Sequence, residues 1–204
     1  MSERVIAYID GFNLYFGLKE KGWKRFYWLD LALLAANLLK PWQQLVDVRY
    51  FTARISGPAD KQKRQNVFLE ANEALGKCKM HFGKYQEDLY QCRKCGASYM
   101  VPHEKMTDVN IAVNLLEDAF LDTFDTALLV SADSDLTPPV TRVKTLFPRK
   151  HVVVVFPPAR SSKELAHVAD ACFPIGRRNL ERSVLPSEVV KPDGVVLRAP
   201  ATWV

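Results

Sequence analysis

The segment VIAYIDGFN, residues 5–13, decides how the rest of the chain is read. Val5 to Ile9 is a short apolar run that stops at Asp10-Gly11. A run of that length, bounded by a turn signal, reads as a buried strand. Its C-terminal end delivers Asp10 to a turn, and Phe12 to Lys19 reads as the helix that follows. The same pattern recurs downstream. Ala127 to Val130 is a strand that runs into Ser131-Ala132-Asp133-Ser134-Asp135. A helix is expected from Leu136 to Leu146, with Pro138 and Pro139 tolerable only in its first turn. HVVVVF, residues 151–156, is the plainest buried strand, and Ala171 to Ile175 reads as a last short one.

Between these landmarks, Leu29 to Leu39 is Ala/Leu-rich and stops at Pro41, as a helix does. LVDVRYFTA (45–53) alternates and is rich in β-formers, so it reads as a strand. Gly57-Pro58 breaks the chain before an exposed, charged helix from Asp60 to Leu75. Thr107 to Phe120 places Val109, Ala112, Val113, Leu116 and Phe120 at amphipathic-helix spacing, opened by Thr107 or the residue before it. Ser161 to Ala169 reads as another helix, Lys79 to Tyr85 as strand-like, and Gln86 to Pro102 as irregular. Strands alternating with helices imply parallel βαβ units. The expected fold is α/β: a Rossmann-like three-layer sandwich around a central, mainly parallel sheet, spanning residues 1–177. Residues 78–103 form an insertion. Residues 178–204, with Pro186, Pro192 and Pro200, are expected as an extended tail.

Composition sets outer limits. Hydrophobic residues make up 48% of the chain and charged residues 25%, which is globular rather than disordered composition. No apolar run approaches the roughly 20 residues that span a bilayer. The N-terminus lacks a signal-peptide layout, which points to the cytoplasm and away from membranes. A net charge of +5 favours polyanionic partners, although mildly basic proteins are common.

The carboxylates carry the strongest functional signal. Ligands of open α/β sheets bind outside the carboxyl ends of the strands. Asp10 follows one strand, and Asp133 and Asp135 follow another. Asp108 lies in the first turn of the preceding helix and projects toward the same end. Clustered carboxylates repel, and a divalent cation gives that proximity a reason. Mg²⁺ takes hard oxygen ligands, and a bound metal activates water and stabilises phosphate charge. Asn13 adds a neutral oxygen or orients a water; Ser131 and Ser134 do the same or bind a phosphate. The competing reading is helix capping for Asp10, Asp133 and Asp135 and a dipole contact for Asp108. Four caps at one end of one sheet is the less economical reading. Glu104 and Lys105 read as a surface pair.

The segments YIDGFNLYFGL (8–18), EKMTDVNIAVNLLEDAF (104–120), DTALLVSADSDLTPPVTRV (125–143) and KHVVVVFPPARSSKELAHVAD (150–170) resemble the NYN domain family. Its members are PIN-like proteins related in fold to flap nucleases. The D-G-x-N, T-D-V-N and S-x-D-S-D elements occur in the family's order, from about Val5 to Ile175. The resemblance implies a PIN-type fold, a Mg²⁺ or Mn²⁺ site and hydrolysis of RNA phosphodiesters. By matching position it makes Asp10, Asp108, Asp133 and Asp135 the metal-site acids and Asn13 the supporting polar residue. Ala132 stands where glycine is expected, tolerable unless the turn needs φ > 0. His103 replaces an acid of many relatives. The family also includes members of uncertain catalytic activity, which leaves a non-catalytic RNA-binding or regulatory module as the alternative.

Cys92-x-x-Cys95 followed by Gly96 looks like a zinc knuckle. Cys78 and His81 have the same spacing, and C-x₂-H with C-x₂-C would give a closed structural Zn²⁺ site. If Lys79 to Tyr85 is a strand, Cys78 and His81 face opposite sides, and His103 becomes the competing ligand. The alternative is a reduced thiol pair in a loop. Cys172, in an apolar run, is expected in the core. Lys61, Lys63, Arg64, Arg93, Lys94, Arg142, Lys144, Arg149 and Lys150 are candidate backbone contacts for RNA, each more simply a solvated charge. Arg160 follows a strand end and is the better phosphate ligand. Tyr15 and Phe16 are candidate base-stacking residues, with burial the simpler role for Phe16. A homodimer through an exposed face or the tail is compatible with the sequence. A dinucleotide-binding domain is not favoured, since no G-x-G-x-x-G follows the first strand.

Overall fold

The computed structural model describes residues 2–203, apart from the side chains of Glu87, Val101, Pro102 and His103. In chain order the elements are β1 (Glu3–Asp10), α1 (Gly11–Glu20), α2 (Leu31–Asn37), β2 (Gln43–Thr52), α3 (Ala59–Ala74) and β3 (Lys79–Phe82). Then come β4 (Lys84–Gln91), β5 (Ser98–Lys105), α4 (Thr107–Phe120), β6 (Thr126–Val130), α5 (Thr137–Leu146) and β7 (His151–Phe156). The chain closes with α6 (Lys163–Val168), β8 (Ala171–Pro174), α7 (Arg177–Glu181), β9 (Glu188–Val190) and β10 (Val196–Arg198). Short 3-10 turns cover Lys24–Tyr27 and Ser134–Leu136.

Six strands form one sheet in the order β3-β2-β1-β6-β7-β8, every pair parallel. Side chains alternate across it and split the core in two. Val5, Ala7 and Ile9 of β1 pack with α1, α2 and Leu69 of α3. Ile6 and Tyr8 pack with Ile111, Leu115 and Ala119 of α4, Val140 and Val143 of α5, and Leu165 of α6. Both faces of the sheet are therefore covered at its centre, which is why β1, β6 and β7 read as continuous apolar runs, whereas β2, farther out, alternates. Each fully buried aliphatic contributes roughly 1.5–3 kcal/mol. This is the three-layer α/β sandwich expected from the sequence.

Two segments differ from expectation. Residues 84–105 are not irregular: β4 and β5 pair antiparallel over their full length and form a hairpin separate from the main sheet. Exposure on both faces hides the alternation by which a half-buried strand is recognised. Met106 then turns the chain into α4 with a left-handed φ of 76°. The C-terminal segment is not an extended arm either. β9 and β10 pair as a hairpin, and Val189 and Leu197 bury with Trp28 and Ala71. Cys172 is exposed, because β8 is the sheet's edge.

A buried polar network fixes α4 on the sheet. Asp118 accepts from the Tyr8 hydroxyl at 2.6 Å and from Arg49 Nη2 at 2.6 Å. Its carboxylate is buried, and burial together with Asp118 pushes the Tyr8 hydroxyl far above its ordinary pKa. Asp118→Ala leaves the Arg49 charge and the Tyr8 hydroxyl without this partner and should cost about 3 kcal/mol. Urea unfolding of wild type and variant checks this; a loss below about 1 kcal/mol would show the network to be replaceable by water.

Candidate active site

Strand order reverses between β1 and β6. From β1 the chain winds outward to β2 and β3, and from β6 to β7 and β8. The crevice at the carboxyl ends of β1 and β6 is therefore the topological switch point of the sheet. Asp10 ends β1, and Ser131 follows β6. Asp10 has the parity of Ile6 and Tyr8, and Ser131 that of Ala127 and Leu129, so both face the α4 side.

Asp10 is buried and holds two hydrogen bonds. Its Oδ1 accepts from the Asn13 backbone N–H at 2.9 Å, which caps α1, and its Oδ2 accepts from the Ser131 hydroxyl at 2.9 Å. Burial pushes the Asp10 carboxyl up, against those bonds, and the Asp133 charge adds to the shift. Ser131 in turn accepts from the Asp133 N–H at 3.1 Å. Ser131 is fully buried, so it positions Asp10 and the following turn instead of contacting a substrate as the sequence suggested. Asp133 caps the turn Ser134–Leu136 by accepting from the Asp135 N–H at 3.0 Å. Asp135 and Ser134 are exposed beside it. Ala132 does not have positive φ, so alanine there is unstrained. Asn13 Oδ1 accepts from the Ala132 N–H at 3.2 Å, tying α1 to the same turn.

Asp108 stands in the first turn of α4, half-buried. Burial first, and then the charges of Asp10, Asp133 and Asp135, together raise its carboxyl to about 6. The four acids singled out in the sequence thus share one electrostatic neighbourhood. Glu104 joins them. Burial raises it to about 7, reinforced by Asp10 and Asp108 and opposed by a hydrogen bond from the Thr107 hydroxyl. Sequence reasoning placed Glu104 in a surface pair. The missed signal is its position four residues before Asp108, with the hairpin closing onto α4: a Cβ at Gly83 would lie 2.6 Å from the Lys105 carbonyl.

Arg160 approaches from the loop after β7. A Cβ at Gly17 would lie 2.4 Å from the Pro158 carbonyl, so glycine lets α1 pack tightly against that loop. The Arg160 guanidinium lies 5.7 Å over the Phe16 ring and 3.5 Å from Asn13 Oδ1, while its buried Nε has no partner. Phe16 and Tyr15 are partly exposed, contrary to the simpler reading of Phe16. Phe12 stacks on Tyr85 of the hairpin at 6.2 Å. Of the other cations, Lys144 and Lys150 are engaged by Asp170 and Asp122 and do not offer free charge.

Among the described residues, no three Asp, Glu, His or Cys side chains converge closely enough to hold a metal ion. The acids surround a space rather than a point. Mg²⁺ commonly takes one or two carboxylates directly and keeps several waters, and this oxygen-only donor set fits that mode. The four-ligand zinc arrangement is not assembled. Cys78 packs against the core on the α1 side, where burial and the charges of Asp47, Asp30 and Glu73 push its thiol up to about 12. His81 stacks on Phe51 at 4.8 Å, on the α4 side. Two strand positions three apart face opposite ways, so they cannot grip one ion. The His103 side chain lies outside the described residues.

The raised carboxyls make the metal-free site destabilising at high pH. The folded protein holds the Glu104 proton up to about pH 7, the unfolded chain only to about 4.5. The cost of ionising Glu104 in place is therefore absent below the lower value and complete above the higher. In metal-free protein, Glu104→Gln should raise the midpoint of thermal unfolding relative to wild type at about pH 8 and leave it unchanged at about pH 4. Equal midpoints at both pH values would show that the carboxylate is not under strain.

The fold matches the crystal structure of VPA0982 from Vibrio parahaemolyticus, a protein of unknown function. The TM-score is 0.57 at 19% identity, covering 90% of this chain and 97% of that one. In sequence, the chain is 25% identical over 177 residues to 6-hydroxy-3-succinoylpyridine 3-monooxygenase HspA of Pseudomonas putida, covering 69% of this chain. It spans only 55% of that relative's length. The NYN domain profile matches residues 4–176, the whole of the sandwich from β1 to the end of β8, and the chain belongs to the NYN domain family.

Proposed function

We propose that this NYN domain is a divalent-metal-dependent ribonuclease. The observation that carries the reading is the gathering of Asp10, Glu104, Asp108, Asp133 and Asp135 at the sheet's switch point, with burial and mutual repulsion raising Asp10, Glu104 and Asp108 together. The NYN domain belongs to the PIN-like nuclease superfamily, which agrees with a hydrolase. When bound, Mg²⁺ or Mn²⁺ lowers the pKa of water and offsets charge on the attacked phosphate.

The chain's own residues set the geometry. Asp10 at the end of β1 and Asp108 in the first turn of α4 would supply carboxylate oxygens to the metal, and Asp133, Asp135 and Glu104 add to the acidic field around them. Ser131 and Asn13 hold Asp10 and the Ala132 turn rigid. Arg160, held over the Phe16 ring beside Asn13, takes a substrate phosphate at the rim. Phe12, Tyr15, Phe16 and Tyr85 offer ring faces for unpaired bases, the usual mode of single-stranded RNA recognition. Such contacts tolerate any sequence, since every base has a π-face.

Cleavage of a labelled single-stranded RNA with Mn²⁺ tests this. Asp108→Asn and Asp133→Asn should each lower the rate by about 100-fold or more while the fold persists, because one carboxylate fewer weakens metal and transition state together. Arg160→Ala should weaken RNA binding by about tenfold, the worth of one charge-assisted phosphate contact. Metal-dependent RNA binding without cleavage would move the domain to the regulatory reading.

A separate cavity favours a second reading. Behind α1 lies a space of about 530 Å³ lined by Tyr15, Tyr27, Phe68 and Trp203, with Lys19 and Lys61 also contributing. Its size and aromatic walls suit a small aromatic anion. The hydroxypyridine in the name of the Pseudomonas putida relative is a molecule of that kind. Quenching of Trp203 fluorescence by hydroxypyridine carboxylates, absent in Trp203→Phe, would support it; no quenching at millimolar ligand would reject it.

A further inference from the structure

We propose that Cys92 and Cys95 form half of a tetrahedral zinc site, completed by the same two cysteines of a second copy of this chain. The turn joining β4 to β5 is built as a metal-binding knuckle. The Cys92 N–H donates to the Ala97 carbonyl at 2.8 Å, and the Gly96 N–H donates to the Cys92 carbonyl at 2.9 Å. Gly96 closes the turn with a left-handed φ of 72°. The Cys92 sulfur accepts from the backbone N–H groups of Lys94 and Cys95 and lies in hydrogen-bond reach of the Cys95 thiol. Two sulfurs are thus held side by side, with amide donors orienting one of them, as outer-shell donors orient metal ligands.

A closed structural zinc needs four such ligands. Among the described residues, no further His, Cys, Asp or Glu side chain joins these two sulfurs in a group that could hold a metal ion. Cys78 and His81 belong to the central sheet, and Cys172 to its far edge. His103 pairs with Gln86, six residues down the ladder from Cys92. At about 3.3 Å per residue that is roughly 20 Å along the strand. Two ligands remain unsupplied, and a two-fold axis through the metal supplies them with an identical pair.

Independent features of the same hairpin point to a second copy as the partner. Leu89 and Met100 are directly opposed on one face, and Tyr90 and Tyr99 on the other, with ring centroids 5.2 Å apart. All four are about half exposed or more, Leu89 by 70%. An isolated two-stranded hairpin is marginal in water, and apolar pairs on both faces next to the tip call for cover. Charge agrees as well. Arg93 and Lys94 make each tip basic, so two tips repel unless an anion lies between them. A zinc ion with four thiolates carries a net charge of −2 and sits there. Each chain releases two thiol protons on binding, and no oxidant or reductant is involved.

The test uses zinc itself. Full-length protein is stripped with chelator under reducing conditions, zinc is restored, and metal content and mass are measured by elemental analysis and light scattering. One zinc per two chains is expected, at twice the 23.2 kDa chain mass. The stripped protein is expected as the monomer, and added zinc restores the dimer. Cobalt(II) in place of zinc should give the intense visible bands of a tetrahedral thiolate site. Cys92→Ser with Cys95→Ser should bind no zinc at the tip and stay monomeric, with the sandwich still folded by circular dichroism. Leu89→Asp keeps the cysteines and should weaken the dimer by about tenfold or more, as expected for loss of an interface anchor. One zinc per monomeric chain, a Cys92–Cys95 disulfide with no zinc uptake after reduction, or a dimer indifferent to chelator would each overturn the proposal.

Discussion

The parallel pairing of β1 with β6 is the constraint on which the rest of the molecule depends. These strands are distant in sequence, yet Val5 to Ile9 register against Thr126 to Val130 without a break. The chain leaves them in opposite directions, so helices must cover both faces, and the strands must be apolar on both sides. The crevice at their carboxyl ends follows from the same arrangement. Asp10 and Ser131, the next residues in register, meet there by a 2.9 Å hydrogen bond. A slip of one residue in that pairing would send Asp10 to the wrong face and dismantle the acidic cluster.

Capping and a place in the acidic crevice are not alternatives for Asp10 and Asp133. Asp10 caps α1 with one oxygen and meets Ser131 with the other, and Asp133 caps the turn that carries Asp135. A cap fixes a carboxylate's rotamer, and a fixed rotamer is what a pre-organised site needs. The cost is electrostatic: burial and like charge raise Asp10, Glu104 and Asp108 at once. A cation bound there, as proposed, would remove that cost and stabilise the fold by mass action.

The sheet was legible because its strands are buried on both faces and read as short apolar runs between turn signals. The acids after β1 and β6 were legible for the same reason: strand ends are easy to locate. What resisted reading was set by tertiary packing. Glu104 looks like a surface residue until the hairpin folds back against α4. Ser131 looks available to a substrate until Asp10 and the Ala132 turn close over it. Cys172 looks like core until β8 is seen at the edge. The hairpin itself was hidden by its own exposure, since polar residues such as Gln86, Asp88 and Gln91 fall on both of its faces and neither face is consistently apolar. Cys78 and His81 do not converge because they take opposite faces of the sheet, the outcome that the period of two implies once Lys79 to Tyr85 is read as a strand.

Met106 gives the hairpin a mechanical meaning. It is a half-exposed methionine held at φ 76°, a conformation that costs an L-residue roughly 1–2 kcal/mol, and it lies between Glu104 on β5 and Asp108 on α4. The hairpin and helix therefore meet at a strained joint with an acid on either side. Glu104 sits at the short end of a lever whose long end is the cysteine turn, about 25 Å away along β5 at about 3.3 Å per residue. The unbroken ladder of β4 and β5 joins the two ends, so the cysteine turn and an acid beside the crevice belong to one continuous two-stranded element.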